Sequence, residues 1–199
     1  MSFIRGINGW VTGMVVGIGL IIAIAIVSYV TTWLGKQVAH RDRVVISGYY
    51  GFANAGDEAM LAAIVGSLKD IIPDVSITVI TGNCRMTREN HNVQAVHRLN
   101  FFAIAAAIRR CDILISGGGS LLQDVTSARS LYYYLWIMKI ALFFKKPVML
   151  YAQGIGPVRG AKARRAVRKV LQRVAVIGVR DADSKAELAA MGVTKPPVT

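Results

Sequence analysis

The sequence predicts an α/β fold built on a parallel sheet over residues 43–192. Three observations carry that expectation. Short apolar, often β-branched runs at residues 44–46, 75–80, 112–115, 147–151 and 174–179 alternate with stretches of helical period. The run at 112–115 is apolar without alternation, as in a strand buried on both faces. No repeat, low-complexity stretch or long linker interrupts the series, so successive βαβ units with right-handed crossovers follow.

The chain begins differently. Residues 10–34 carry no charge and consist mainly of Val, Ile, Leu, Ala and Gly. Roughly 20 such residues cross a bilayer as a helix. Trp10 at one end and Tyr29 and Trp33 near the other suit an interfacial aromatic belt. A signal peptide would have a shorter apolar core and a small-residue cleavage site, and the run exceeds what a buried core helix needs. A single membrane anchor with a short basic linker is therefore expected over residues 1–42. Lys36, Arg41 and Arg43 follow the run against Arg5 before it, which orients the remainder toward the cytoplasm.

From Arg43 the elements come in order. A strand at 44–46 leads into a polar loop, and a helix starts near Gly56-Asp57-Glu58 and continues through Leu61, Ile64, Val65 and Leu68. Acidic residues in a first turn complement the helix dipole. The alternating strand at 75–80 follows, then a short third strand at 92–96 and a helix at 101–110. The strand at 112–115 precedes a long helix at 128–144, apolar almost all round as buried helices are. A strand at 147–151, a basic helix at 162–172, a strand at 174–179 and a helix at 184–191, stopped by Gly192, complete the series.

Composition narrows the partners. Lys and Arg number 24 against 11 Asp and Glu, a formal charge of +13, which favours anionic partners. Nucleic acid is not among those expected: no zinc-finger, helix-turn-helix or RNP pattern occurs, and the basic residues are not interleaved with aromatics. Arg159, Lys162, Arg164, Arg165, Arg168, Lys169 and Arg173 share the basic helix, which reads as a solvated face or one attracted to acidic lipid or a lipid pyrophosphate. Cys84 and Cys111 form no CxxC pair and suit a reducing compartment. His40, His91 and His97 have no metal-ligand spacing and read as surface or strand residues, so no metal is expected.

The chemistry is expected at one sheet edge. The loops at 47–58, 116–124 (Ser116-Gly117-Gly118-Gly119-Ser120-Leu121-Leu122-Gln123-Asp124), 153–157 (Gln153-Gly154-Ile155-Gly156-Pro157) and Arg180-Asp181 each follow a strand and precede a helix. In a parallel sheet all four lie at the carboxyl edge, where open α/β sheets bind ligands. Glycine brings backbone close to a ligand, and exposed amides there can cradle an anion. Gly154-x-Gly156 lacks the third glycine of a dinucleotide fingerprint, and neither GxxxxGK[ST] nor GxSxG occurs.

Taken together, the motif from Val45 to Ala59 (VISGYYGFANAGDEA), the triglycine stretch, Gln153-Gly154-Ile155-Gly156-Pro157 and Val179-Arg180-Asp181 resemble the polysaccharide pyruvyl transferase family, with the match closest to its CsaB type. Four motifs in the right order over residues 43–199 make the resemblance specific; Ala53 departs from it, standing where the family usually has glycine. The resemblance implies a GT-B-like fold of two Rossmann-like halves with the active site between them, of which residues 43–199 form the N-terminal half. It implies transfer of the enolpyruvyl unit of phosphoenolpyruvate to a sugar as a 4,6-ketal with release of phosphate. In the CsaB type the acceptor is an N-acetylmannosamine of a lipid-linked precursor of secondary cell-wall polysaccharide, later bound by surface-layer proteins. The family continues beyond the point matching Thr199, so a shortened chain, or one that does not turn over alone, is expected.

Such a reaction needs a proton delivered to the methylene carbon and another removed from the hydroxyl, work for carboxylates with separated pKa values. Asp57, Glu58 and Asp124 are the catalytic candidates. Arg180 is the candidate cation for the phosphate or carboxylate of phosphoenolpyruvate, with an ion pair to Asp181 as its plain alternative. By the resemblance, Tyr49, Asn54, Gly56, Gly117, Gly118, Gly119, Ser120, Gln123, Gln153, Gly154 and Gly156 contact substrate. No cofactor beyond the donor phosphoenolpyruvate is called for. A sugar-nucleotide-dependent glycosyltransferase on the same scaffold and a non-catalytic membrane-bound scaffold are the competing readings.

Overall fold

The computed structural model describes residues 41–125, 127–196 and 198. The compact unit Asp42–Thr199 holds every element described below. The expected anchor at 10–34 lies outside the described residues; among those described, no helix is long and apolar enough to cross a membrane.

Six strands form one wholly parallel sheet in the order β3-β2-β1-β4-β5-β6. They are β1 (Arg43–Ser47), β2 (Ser76–Thr81), β3 (Gln94–His97), β4 (Ile113–Gly117), β5 (Val148–Gln153) and β6 (Val176–Val179). Six helices connect and follow them: α1 (Ala55–Ile71), α2 (Cys84–His91), α3 (Phe101–Arg110), α4 (Ala128–Phe143), α5 (Ala161–Leu171) and α6 (Ala182–Ala190). The chain builds outward from β1 to β3, then crosses back and builds outward again from β4. The order therefore reverses between β1 and β4, which pair directly through Val45↔Leu114 and Ile46↔Ile115. This is the doubly wound, Rossmann-like arrangement, and it leaves a crevice at the carboxyl ends of those two strands.

Side-chain alternation along β1 splits the core. Val44 and Ile46 join Leu61, Ile64 and Val65 of α1, with Ile77 and Val79, on one face. Val45 joins Leu114, Val148, Leu150 and Ile177 on the other face, under Ile104, Ile108, Leu135, Met138, Val167 and Val170 of α3, α4 and α5. Burying each of these side chains contributes roughly 1.5–3 kcal/mol, and two covered faces explain the continuous apolar reading of β4.

The structure corrects four boundaries. Helix α2, Cys84–His91, went unforeseen because its sequence CRMTRENH has no apolar stripe; only Thr87 is buried, its hydroxyl 2.8 Å from that of Thr81. It begins on Asn83, whose side chain accepts from the Met86 amide, and ends at Asn92 in left-handed conformation, so β3 starts at Gln94 and not at 92. Strand β6 starts at Val176, because Arg173 and Val174 turn back onto the last carbonyls of α5. Helix α6 starts at Ala182 and not at 184, because the Asp181 carboxylate caps it by accepting from the Ser184 amide at 2.7 Å.

Candidate functional site

The loop after β1 is built first. Tyr50 is 1 % exposed, and its hydroxyl donates to the Gly117 carbonyl at 2.7 Å, tying the β1 loop to the β4 loop across the crevice. Burial pushes its pKa up, so it stays a neutral donor. Gly51 follows with φ +80, its amide donating to Glu58 Oε1 at 2.8 Å. Ala53, φ 56, also occupies the left-handed region. A side chain costs about 1 kcal/mol there, so Ala53→Gly is expected to raise stability slightly, read as an upward shift of the chemical-denaturation midpoint. An unchanged or lower midpoint would mean that the turn carries no such strain.

Asn54 then caps α1, its side chain accepting from Gly56 at 3.1 Å. That cap brings two adjacent carboxylates to the carboxyl edge with different fates. Glu58 turns inward, holding Gly51 with one oxygen and standing 3.0 Å from His91 Nε2 with the other. His91, expected as a surface or strand residue, is a nearly buried ring at the end of α2 with 8 % side-chain exposure, pairing α1 with α2. Asp57 turns the other way into a cleft of about 580 Å³ lined by Tyr49, Arg98, Ser120, Gln123, Tyr133 and Tyr134, with Ser127, Arg129 and Ser130 on the α4 side. Partial burial, then the neighbouring Glu58 charge, raises the Asp57 pKa.

The triglycine turn makes room for this carboxylate. Gly119 has φ +69, and a Cβ there would stand 2.9 Å from Asp57 Oδ1. Only glycine gives both that backbone and that approach.

The remaining glycine-loop contacts are internal. Gln153, fully buried, accepts from Ser116 Oγ at 3.2 Å and donates to the Gly119 carbonyl at 2.7 Å, lacing β4 to β5. The amides of Gly118, Gly154 and Gly156 donate to the carbonyls of Tyr151, Gly119 and Leu122 at 3.0, 2.9 and 2.8 Å. These three, expected to hold substrate oxygens, are thus spent within the protein; their role is to shape the rim. A Cβ on Gly154 would meet Ser120 Oγ at 2.8 Å and the Arg180 guanidinium at 3.0 Å. A Cβ on Gly156 would meet Glu187.

Two other expected residues are engaged elsewhere. Asp124 accepts from the Arg159 amide at 2.9 and 3.0 Å and from the Gly160 amide at 2.9 Å, securing the approach to α5. Those hydrogen bonds hold its pKa below the usual carboxylate value, the opposite of what a proton donor needs. Arg180 takes its plain alternative, Nε donating to Asp181 at 2.8 Å. Hydrogen bonds from Ser184 and Arg180 bring the Asp181 pKa down to about 2. On α5, Arg164 pairs with Glu187 at 2.7 Å, while Arg165, Arg168, Lys169 and Arg173 rim a separate shallow hollow with Gln172.

Of the expected site residues, then, Tyr49, Asp57, Ser120 and Gln123 line one cleft with the Gly119 backbone beneath Asp57. Glu58, Asn54, Gly56, Gln153, Asp124 and Arg180 support its walls or neighbouring loops. Sequence reasoning missed Arg98, Tyr133 and Tyr134. Arg98 follows an edge strand in an ordinary-looking loop, and the tyrosines sat in a helix whose apolar pattern read as core. The triplet Tyr132-Tyr133-Tyr134 was the available signal, since buried tyrosines need partners. Tyr133 donates to the Arg98 carbonyl at 3.0 Å and Tyr134 is 2 % exposed. Among the described residues no cluster of three or more His, Cys, Asp or Glu is placed to hold a metal.

The cleft sets one carboxyl group of raised pKa among hydroxyl, amide and guanidinium groups, a lining suited to a polyhydroxylated or anionic ligand. No curated protein matches the chain. Among solved structures, the chain is similar to the molybdenum cofactor binding protein from the phototrophic bacterium Rippkaea orientalis at 11 % identity and a TM-score of 0.42, over 78 % of this chain and 99 % of that one. A family model described as polysaccharide pyruvyl transferase matches residues 54–199, from the cap of α1 through the loops just described. The chain belongs to the polysaccharide pyruvyl transferase family.

Proposed function

We propose that this protein transfers the enolpyruvyl unit of phosphoenolpyruvate to a sugar of a lipid-linked cell-wall polysaccharide precursor. The reading is of the CsaB type, with a 4,6-ketal formed on N-acetylmannosamine and phosphate released. The observation that supports it is Asp57: a carboxyl group of raised pKa, beside the triglycine turn, in a cleft lined with hydroxyls and two arginines. Protonated Asp57 donates to the methylene carbon of the enol as one sugar hydroxyl adds to its substituted carbon. The second hydroxyl then displaces phosphate from that carbon; the proton of the first hydroxyl restores the Asp57 acid and that of the second leaves with phosphate.

In this reading the Rossmann-like unit is the N-terminal half of a GT-B-like enzyme. Residues 10–34 anchor it in the cell membrane in a single pass, with the catalytic unit cytoplasmic, close to its lipid-linked acceptor. It uses no cofactor and no nucleic acid.

The test supplies the protein with phosphoenolpyruvate and a lipid-linked disaccharide bearing N-acetylmannosamine, without any sugar nucleotide. Acceptor-dependent phosphate release together with an acid-labile pyruvate ketal on the product is the expected result. Glycosyl transfer that requires a sugar nucleotide, with phosphoenolpyruvate untouched, would replace this reading by the glycosyltransferase one.

A further inference from the structure

We propose that Arg98 is the anion receptor of the cleft, presenting its N–H edge to a phosphate or carboxylate of the substrate. The inference deepens the proposed function and rests on its assignment of the cleft to an anionic substrate. Arg98 follows β3, its amide donating to the Thr81 carbonyl at 2.8 Å, and its own carbonyl is held by the Tyr133 hydroxyl. Its guanidinium carbon lies 5.3 Å from the Phe52 ring centroid and 4.9 Å from that of Tyr133. Phe52 is itself stacked on Tyr49 at 4.3 Å, so the cation rests against an aromatic wall that continues into the cleft.

Ring faces satisfy a guanidinium's charge but leave its hydrogen-bond donors unused. Nε of Arg98 is buried and has no hydrogen-bond partner, alone in that respect among the buried side-chain polar atoms of the described residues. A buried donor without a partner bears its full desolvation penalty, so its retention calls for a ligand that uses it. A guanidinium edge matches the paired oxygens of carboxylate or phosphate. Three other arginines are committed to carboxylates: Arg85 to Glu89, Arg164 to Glu187 and Arg180 to Asp181. Arg129, on the same cleft, supplies a second positive charge.

Two sources share this chemistry, phosphoenolpyruvate and the pyrophosphate that joins the acceptor to its lipid. Titration calorimetry on the whole chain, with phosphoenolpyruvate in one series and inorganic pyrophosphate in the other, separates them. Arg98→Lys keeps the charge and loses the fork, Arg98→Gln loses both, and Arg85→Gln removes an equal charge on α2. Either Arg98 variant is expected to weaken one of the two anions by roughly tenfold or more, with Gln the worse, and Arg85→Gln to change neither. Loss of phosphoenolpyruvate affinity identifies the donor as the anion held; loss of pyrophosphate affinity identifies the acceptor.

Far-UV circular dichroism establishes which variants are folded. Unchanged affinity for both anions in a folded Arg98 variant overturns the proposal, as does the absence of binding of either anion to the unsubstituted chain. Unchanged binding with continued phosphate release leaves pyruvyl transfer standing without this receptor. Anion binding that depends on Arg98 in a chain that never consumes phosphoenolpyruvate leaves the receptor standing without that activity.

Discussion

Replacing Asp57 by Asn is expected to lower turnover at saturating substrate by roughly 10²–10⁴-fold, the usual contribution of a positioned acid–base group. The same change should raise the melting temperature at neutral pH. In the folded state the Asp57 pKa lies above its ordinary value of 3.8, through partial burial and then through Glu58. Between the unfolded and folded values the folded protein therefore binds more protons, and stability falls as pH rises through that window. At neutral pH the ionised group is a standing cost, which Asn removes. Because the carboxylate is only partly buried, solvent screens the effect, and a gain of about 1–2 °C is the scale to seek. Thermal unfolding at pH 4 and pH 7 checks this: the gain at pH 7 should shrink at the lower pH. A slower, more stable variant is what a strained catalytic carboxylate predicts. Full turnover in Asp57→Asn would remove it from the chemistry, and a lower melting temperature would mean that its carboxylate stabilises the fold.

The second large effect concerns the turn that aims α1. Gly51→Ala is expected to destabilise the protein by about 3 kcal/mol or more, combining backbone strain with overpacking. At φ +80, an added Cβ would run into Thr81 Oγ1 and the Asn83 backbone nitrogen, and would lie 2.9 Å from the Gly82 nitrogen. None of these is the free end of a flexible side chain. Movement of this turn would also break the Gly51–Glu58 hydrogen bond at the start of α1, next to Asp57. The identical substitution at Gly66 has the opposite expected sign. There, in the middle of α1, an added Cβ meets nothing within 4 Å, so higher helix propensity should stabilise by about 0.5–1 kcal/mol. Urea midpoints of the two variants decide the matter. Equal shifts in one direction would show that the turn relaxes freely, and would break the link drawn between Gly51 and the placement of Asp57.

The loops that matter were legible as loops. Each of the four polar or glycine-rich stretches follows a parallel strand, and in the folded unit all four lie at the carboxyl edge. What each loop residue does there was not legible. Asp57 and Glu58 are adjacent and chemically alike, yet one enters the cleft and the other clasps Gly51 and His91. Successive helical positions point about 100° apart, and only the packing of α1 on the sheet decides which direction is open. Asp124 offered an acid by its type; two backbone amides arriving from 35 residues further along make it a brace. Arg98 and Tyr133, 35 residues apart, meet only because α4 lies beside the loop leaving β3.

The sequence by itself determined the alternation of strands and helices, the edge at which ligands would be met, and the family, because these depend on local periodicity and on motifs that stay contiguous along the chain. Tertiary structure alone decided which carboxylate is poised, which amides are spent and which arginine keeps an unused donor. Hydrogen bonding and desolvation are set by neighbours brought close in space, and in a doubly wound sheet those neighbours come from strands far apart in the chain.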